Sequence, residues 1–139
     1  MHPDPQRLSE IPIFEGVPAD QLDTIASWFD VEEHPSGTRL TREGASGYAF
    51  FILDQGRARV EHEGASLGEL RPGDVFGEMA LVGDGRRTAD VFADTEVRVL
   101  AMFGTRFREL QTLAPEVARR LDRIASERSD QLEEHPAAG

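Results

Sequence analysis

The sequence contains no cysteine, which excludes disulfide bonds, thiolate metal sites and cysteine nucleophiles. It also has no apolar run of about 18 residues, the length that a helix needs to cross a membrane. Cations are scarce, because 15 Lys and Arg residues stand against 26 Asp and Glu residues, with a formal net charge of -11. An average field of that sign repels phosphate backbones, so we predict no nucleic-acid binding, and the lack of a long apolar run predicts no membrane insertion by this chain.

The residues that are present have the composition of a folded globular protein. Hydrophobic residues make up 39% and charged residues 29% of the 139 positions, which fits one domain that buries its core without disulfides. The segment Met1–Glu10 is polar, contains prolines and lacks the apolar stretch of a secretory signal. We therefore predict a cytoplasmic domain that follows a flexible lead-in at residues 1–10.

The middle of the chain has the sequence pattern of a β-rich domain. Between about residues 31 and 102, short apolar runs alternate with glycines. Tyr48–Leu53 and Arg57–His62 are the clearest strand candidates, and Arg71–Asp74 carries the Pro-Gly pair of a turn. Short strands at this spacing predict an antiparallel β-sandwich, roll or small barrel.

Helical patterns flank this middle segment on both sides. Apolar residues recur at helical spacing within residues 11–29, and again within 107–113 and 115–132, where Pro115 suits the first turn of a helix. The predicted fold class is α+β, mainly β: a jelly-roll-like antiparallel β-roll or barrel with one N-terminal helix and two C-terminal helices. The predicted domain spans residues 11–132, with the β-roll at about 31–102, the C-terminal helices at about 104–132 and a flexible tail at 133–139.

The segment Phe76–Val91 carries the most informative chemistry. Gly77 removes a side chain where a ligand could approach the backbone, and a helical turn directly after it would offer free amides to an anion. Arg86 and Arg87 then supply guanidinium groups, and one such group together with backbone amides suffices to bind a phosphodiester. Glu78 fits as an acceptor for a sugar hydroxyl. The segment therefore predicts recognition of a ribose and a phosphate together.

The order of these residues is more specific than their spacing. Residues 76–81, Phe-Gly-Glu-Met-Ala-Leu, and residues 87–91, Arg-Thr-Ala-Asp-Val, resemble the phosphate-binding cassette of the cyclic-nucleotide-binding domain family. Within that family, residues 85–89 and 120–124 look most like the domains of hyperpolarisation-activated and cyclic-nucleotide-gated channels. The resemblance runs from about Leu8 to Gln131.

The resemblance implies a site for cAMP or cGMP, without deciding between them. It implies that Arg87 pairs with the cyclic phosphate, that Glu78 binds the ribose 2′-hydroxyl, and that Thr88 contacts the phosphate. It also implies that Arg120 and Ile124 close over the purine as a lid. The implied ligand-binding residues are Gly77, Glu78, Met79, Ala80, Arg87, Thr88 and Ala89, with Val60, Leu70, Arg120 and Ile124 at the lid and base pocket.

Interpretations of the same residues that involve no ligand also stay open. Ile124 could be a core residue, and Arg120 could pair with acids along its own helix. Asp90 stands where many family members have serine, threonine or asparagine, which leaves room for a β-roll that has lost its ligand and serves as a protein-interaction module.

Other classes of function find less support in the sequence. A transcription regulator of the catabolite-activator type needs a helix-turn-helix after the long helix, and the sequence shows none up to Gly139. The four histidines are scattered, and no acid–base, nucleophile or metal-ligand pattern is visible. We predict a non-enzymatic module that binds no metal and that contacts a second copy or an effector protein through its helices.

Overall fold

The computed structural model describes residues 1–41, 49–77 and 89–134, with side chains to Arg128. Within these ranges, helices precede and follow a set of β-strands. The helices are α1 (Pro5–Ser9), a 3-10 helix (Pro12–Phe14), α2 (Ala19–Ala26), a second 3-10 helix (Gly104–Arg106), α3 (Phe107–Leu113) and α4 (Pro115–Glu134). The strands are β1 (Asp30–His34), β2 (Arg39–Thr41), β3 (Ala49–Gln55), β4 (Ala58–His62), β5 (Ala65–Leu70), β6 (Val75–Phe76), β7 (Asp90–Ala93) and β8 (Val97–Phe103).

The strands form two antiparallel sheets of four strands each. One sheet has the order β1-β8-β3-β6 and the other has the order β2-β7-β4-β5. The predicted mainly-β α+β roll with C-terminal helices is therefore confirmed. The barrel form of that prediction is corrected, because among the described strands no ladder joins one sheet to the other.

Strand β3 separates two hydrophobic clusters, because successive side chains of a strand point to opposite faces. Phe50 and Ile52 face the helices, where they join the buried residues of the helix-side cluster. Phe51 and Leu53 face the other sheet, in what we call the inter-sheet layer. Burial on both faces explains why this strand is a continuous apolar run.

The N-terminal part of the chain differs from the prediction. Residues 1–10, expected to be a flexible lead-in, contain helix α1, because Leu8 is fully buried in the helix-side cluster. Within residues 11–29, the predicted helix forms as α2, and a 3-10 helix at Pro12–Phe14 precedes it. Gly16, at a φ of 80°, and Pro18, which lacks a backbone donor, interrupt the helical hydrogen bonding between them.

One ion pair fastens the N-terminal helix to the β-roll. Arg7 Nε donates to Asp54 Oδ1 at 2.6 Å, and Arg7 Nη2 donates to the Asp54 carbonyl oxygen at 3.0 Å. The Asp54 side chain is 6% exposed, whereas that of Arg7 is 42% exposed. The hydrogen bond from Arg7 and the charge of Asp54 raise the pKa of Arg7, so the arginine stays charged over the whole working range of pH.

Removing Arg7 should reveal the free-energy cost of burying the Asp54 carboxylate without a charged donor. We expect Arg7→Met to lower the free energy of unfolding by about 2 kcal/mol, because Asp54 would lose its charged donor while the aliphatic contacts persist. Glu10→Gln is the control, since the Arg7–Glu10 pair is solvent-exposed and should contribute less than about 0.5 kcal/mol. Urea unfolding of both variants measures the difference, and equal losses would contradict this role of Asp54.

Candidate functional site

The inter-sheet layer holds the two residues predicted as the apolar floor of the site. Leu70 is 5% exposed and belongs to the buried cluster of this layer, and Val60 packs against that cluster while half-buried. Val60 lies on β4 directly opposite Val91 of β7. The structure therefore brings Val60 and Leu70 together on the inner face of the second sheet.

Two further apolar residues of this layer were not predicted as site residues. Leu40 on β2 and Phe51 on β3 pack against the same cluster as Val60, and all three are only half-buried. Inward-facing residues between two sheets are ordinarily buried. These three side chains therefore keep part of their apolar surface uncovered, although they pack against the inter-sheet layer.

Gly77 lies where the chain leaves the first sheet. It follows Phe76, the last residue of β6, and adopts a φ of 79° in the left-handed region that favours glycine. Of the other predicted cassette residues, Glu78, Met79, Ala80, Arg87 and Thr88 lie outside the described residues.

Ala89 lies where the chain enters the second sheet. Its carbonyl oxygen accepts a hydrogen bond from Thr41 Oγ1 at 3.1 Å, and Thr41 is 7% exposed. A buried hydroxyl whose donor is satisfied in this way holds the start of β7 against β2. The described end of the cassette at Ala89 is therefore held to β2, and the other described end, Gly77, follows directly after β6.

Arg120 lies against the N-terminal helices. Its Nη1 donates to the carbonyl oxygen of Ile13 at 2.9 Å and to that of Glu15 at 2.7 Å. Both acceptors are at the end of the 3-10 helix Pro12–Phe14, where helical carbonyls lack partners within their own helix. Arg120 thus acts as a side-chain cap for a segment more than one hundred residues earlier in the chain.

Two other residues of α4, Ile124 and Arg119, also make contacts away from the inter-sheet layer. Ile124 packs, half-buried, against the helix-side cluster rather than against the inter-sheet layer. Arg119 pairs with Glu116 one turn earlier, and this hydrogen bond lowers the pKa of Glu116. The structure therefore places Val60 and Leu70 in the inter-sheet layer, whereas the two predicted lid residues contact the helix side of the β-roll.

The described ranges also bear on metal binding and on membrane spanning. They contain no cluster of three or more side chains able to hold a metal ion. None of the helices in those ranges is both long enough and apolar enough to span a membrane.

Comparison with curated proteins identifies relatives along most of the chain. The cAMP-dependent protein kinase regulatory subunit of Neurospora crassa is 30% identical over 128 residues, which cover 91% of this chain and 33% of that protein. A cyclic nucleotide-gated potassium channel of Rhizobium etli is 32% identical over 88% of this chain and 34% of its own length. The Cyclic AMP receptor protein of Thermus thermophilus is 30% identical, with 84% and 56% covered. The chain thus spans about a third of the kinase and channel relatives, and the likeness extends to channels, kinase subunits and a receptor protein alike.

Solved structures share the fold. Cyclic AMP-bound PfPKA-R superposes with a TM-score of 0.85 at 25% identity, covering 94% of this chain and 45% of that one. The regulatory domain of Toxoplasma gondii PKA, crystallised with cAMP, gives 0.79 at 26% identity, with 88% and 48% covered. The cyclic nucleotide-binding domain model matches residues 31–112, which include both sheets and the cassette. The chain therefore belongs to the cyclic nucleotide-binding domain family.

Proposed function

We propose that this chain binds a cyclic nucleotide, cAMP or cGMP, and acts as a regulatory sensor module. One observation carries the proposal: Leu40 and Val60, half-buried apolar residues of the second sheet, lie on the same roll as Gly77, where the family cassette begins. A purine needs an apolar surface, and a cyclic phosphate needs backbone amides and a cation. This chain supplies both kinds of group on a single fold.

The cassette residues take the phosphate and the ribose in this proposal. Arg87 forms a bidentate, charge-assisted pair with the cyclic phosphate, worth on the order of 1.5–3 kcal/mol per hydrogen bond. Glu78 accepts a hydrogen bond from the ribose 2′-hydroxyl, and Thr88 donates to the phosphate. The backbones of Gly77, Met79, Ala80 and Ala89 line the phosphate.

The base lies on the inter-sheet layer. Val60 and Leu70 form its floor, and burial of an apolar face there contributes roughly 25 cal/mol per Å² removed from water. The proposed role requires the site to bind the nucleotide and not to react with it, so we propose a binding module rather than an enzyme. The absence of cysteine fits the reducing cytoplasm that we propose as its location.

Closure of the lid requires a change at α4. Arg120 caps the 3-10 helix Pro12–Phe14 in this structure, and Ile124 packs beside it in the helix-side cluster. To cover a purine, both residues must leave those contacts. A ligand that binds the closed form more tightly shifts the population toward it, and the freed N-terminal helices then present a changed surface to an effector domain or a second copy.

The alternative function is a β-roll that has lost its ligand and docks a protein partner. Asp90 favours this alternative, because an acid stands half-buried at the start of β7, next to the cassette. An anion close to a bound phosphate would weaken it by repulsion.

Calorimetric titration of nucleotide-stripped protein distinguishes the two functions. We expect saturable heats with cAMP or cGMP and none with 5′-AMP, because the cassette fits a cyclic phosphodiester. The stronger of the two cyclic ligands then names the preferred base. Neither heat nor thermal stabilisation at millimolar ligand would contradict the proposal and favour the interaction module.

A further inference from the structure

We propose that Phe51 is a positioning residue for the ligand: its ring holds Phe76, and through Phe76 it fixes where the backbone leaves the β-roll at Gly77. This inference rests on the proposed function. Phe51 is outside the cassette and on a different strand, and the cassette sequence does not point to it.

The ring contact is the first argument. Phe51 on β3 lies directly opposite Phe76 on β6, and their rings stack with centroids 5.0 Å apart and an interplanar angle of 18°. Offset aromatic pairs at this separation contribute beyond the area they bury. The stacked pair is therefore a specific contact between the two strands.

The shortness of β6 is the second argument. That strand contains only Val75 and Phe76, and it pairs only with β3 among the described strands. Hydrogen bonds from Leu53 N to Asp74 O and from Gly73 N to Leu53 O fix the turn before the strand. At Phe76, the last residue before Gly77, the ring stack adds a side-chain restraint to the backbone pairing with β3.

Burial supplies the third argument. Phe76 is 2% exposed, so its ring cannot move without a neighbour moving, whereas Phe51 is half-buried against the inter-sheet layer. Removing the Phe51 ring would open space beside Phe76 and let its backbone shift. Gly77 follows at once, and a displacement of about 1 Å is enough to spoil a preorganised binding geometry.

Phe50 is the matched control on the same strand. It faces the helix-side cluster, is fully buried and contacts the Phe29 ring edge-on at a centroid distance of 5.9 Å. Phe50→Leu removes a ring of the same size one position away, on the face of β3 opposite to the Phe51–Phe76 stack. It should cost at least as much stability as Phe51→Leu and leave ligand affinity within about twofold.

A comparison of two ligands separates positioning from direct contact with the base. A residue that acts by placing Gly77 affects the phosphate end of the ligand, so its loss should weaken cAMP and cGMP by the same factor. A ring that touched the purine itself would change the ratio between the two dissociation constants. Phe51→Tyr keeps the ring and should bind like the unmodified protein.

The experiment is calorimetric titration of cAMP and cGMP into the unmodified protein, Phe51→Leu, Phe51→Tyr and Phe50→Leu, at a temperature where each variant is folded by circular dichroism. We expect Phe51→Leu to bind both nucleotides about tenfold more weakly. Phe51→Met, which preserves more volume, takes its place if Phe51→Leu does not fold.

Several outcomes would overturn this role of Phe51. Unchanged affinity in Phe51→Leu, an equal loss in Phe50→Leu, or a changed ratio between cAMP and cGMP would each do so while the proposed function stands. Failure of the unmodified protein to bind either nucleotide would instead overturn the proposed function, and the inference with it.

Discussion

Arg87→Glu is expected to weaken cyclic nucleotide binding by at least about a hundredfold, because it replaces the proposed phosphate partner with a repelling charge. Arg87 lies outside the described residues, and its role comes from its place in the cassette of a family to which the chain belongs. Without ligand, the substitution is expected to leave the free energy of unfolding within about 0.5 kcal/mol of that of the unmodified protein. Calorimetry measures the first quantity and urea unfolding the second.

Arg108→Glu is the matched control for bulk electrostatics. Arg108 is exposed on α3 and is remote in sequence from the cassette. Either substitution removes one positive charge and adds one negative charge, so each takes the formal net charge from -11 to -13. Near-normal affinity in Arg87→Glu, or equal weakening in both variants, would remove the central claim about the cassette.

The largest effect on stability is expected at Gly56. Its φ is 92°, and a methyl group built on it would collide with the Glu96 carbonyl and approach Thr95 Oγ1 to 2.8 Å and Val97 Cγ1 to 2.9 Å. Two of these contacts are backbone or a packed β-branched side chain, which yield little. Gly56→Ala should therefore lower the free energy of unfolding by about 2–4 kcal/mol. This loss is the sum of the cost of a left-handed backbone conformation for alanine and the cost of the overpacked contact.

Gly37→Ala separates the two contributions. Gly37 has a φ of 88°, nearly that of Gly56, but nothing lies within 4 Å of the position that a methyl group would take. Its loss should be about 1 kcal/mol, the cost of the backbone conformation alone. Urea unfolding of the two variants measures the difference, and losses of equal size would show that the close approach at Gly56 has no energetic weight.

The strands with apolar runs or alternation could be predicted from the sequence, and the others could not. Tyr48–Leu53 and Arg57–His62 were predicted close to β3 and β4. Strand β1, with the sequence Asp-Val-Glu-Glu-His, carries little apolar pattern and forms because β8 pairs with it along its length. A strand that depends on a distant partner leaves a weak trace in its own residues.

The candidate site divides in the same way. The cassette is a linear pattern and could be found as one, whereas Phe51 lies in an apolar run whose two faces only the fold distinguishes. The partners of Arg120 are the main-chain carbonyls of Ile13 and Glu15, and every residue type carries such an acceptor. No sequence pattern could therefore have indicated that contact.

The position of β8 between β1 and β3 also determines when the first sheet can form during synthesis of the chain. Val31 pairs with Leu100 and Phe51 with Ala101, so the first sheet closes over long stretches of chain. Val97 and Val99 of β8 also contribute to the inter-sheet layer. On the ribosome, β3 cannot pair with β8, the strand that joins it to β1, until β8 has been synthesised. Non-local pairing of this kind is slow to form. The nascent chain therefore acquires the apolar layer proposed for the base only after the whole cassette has emerged.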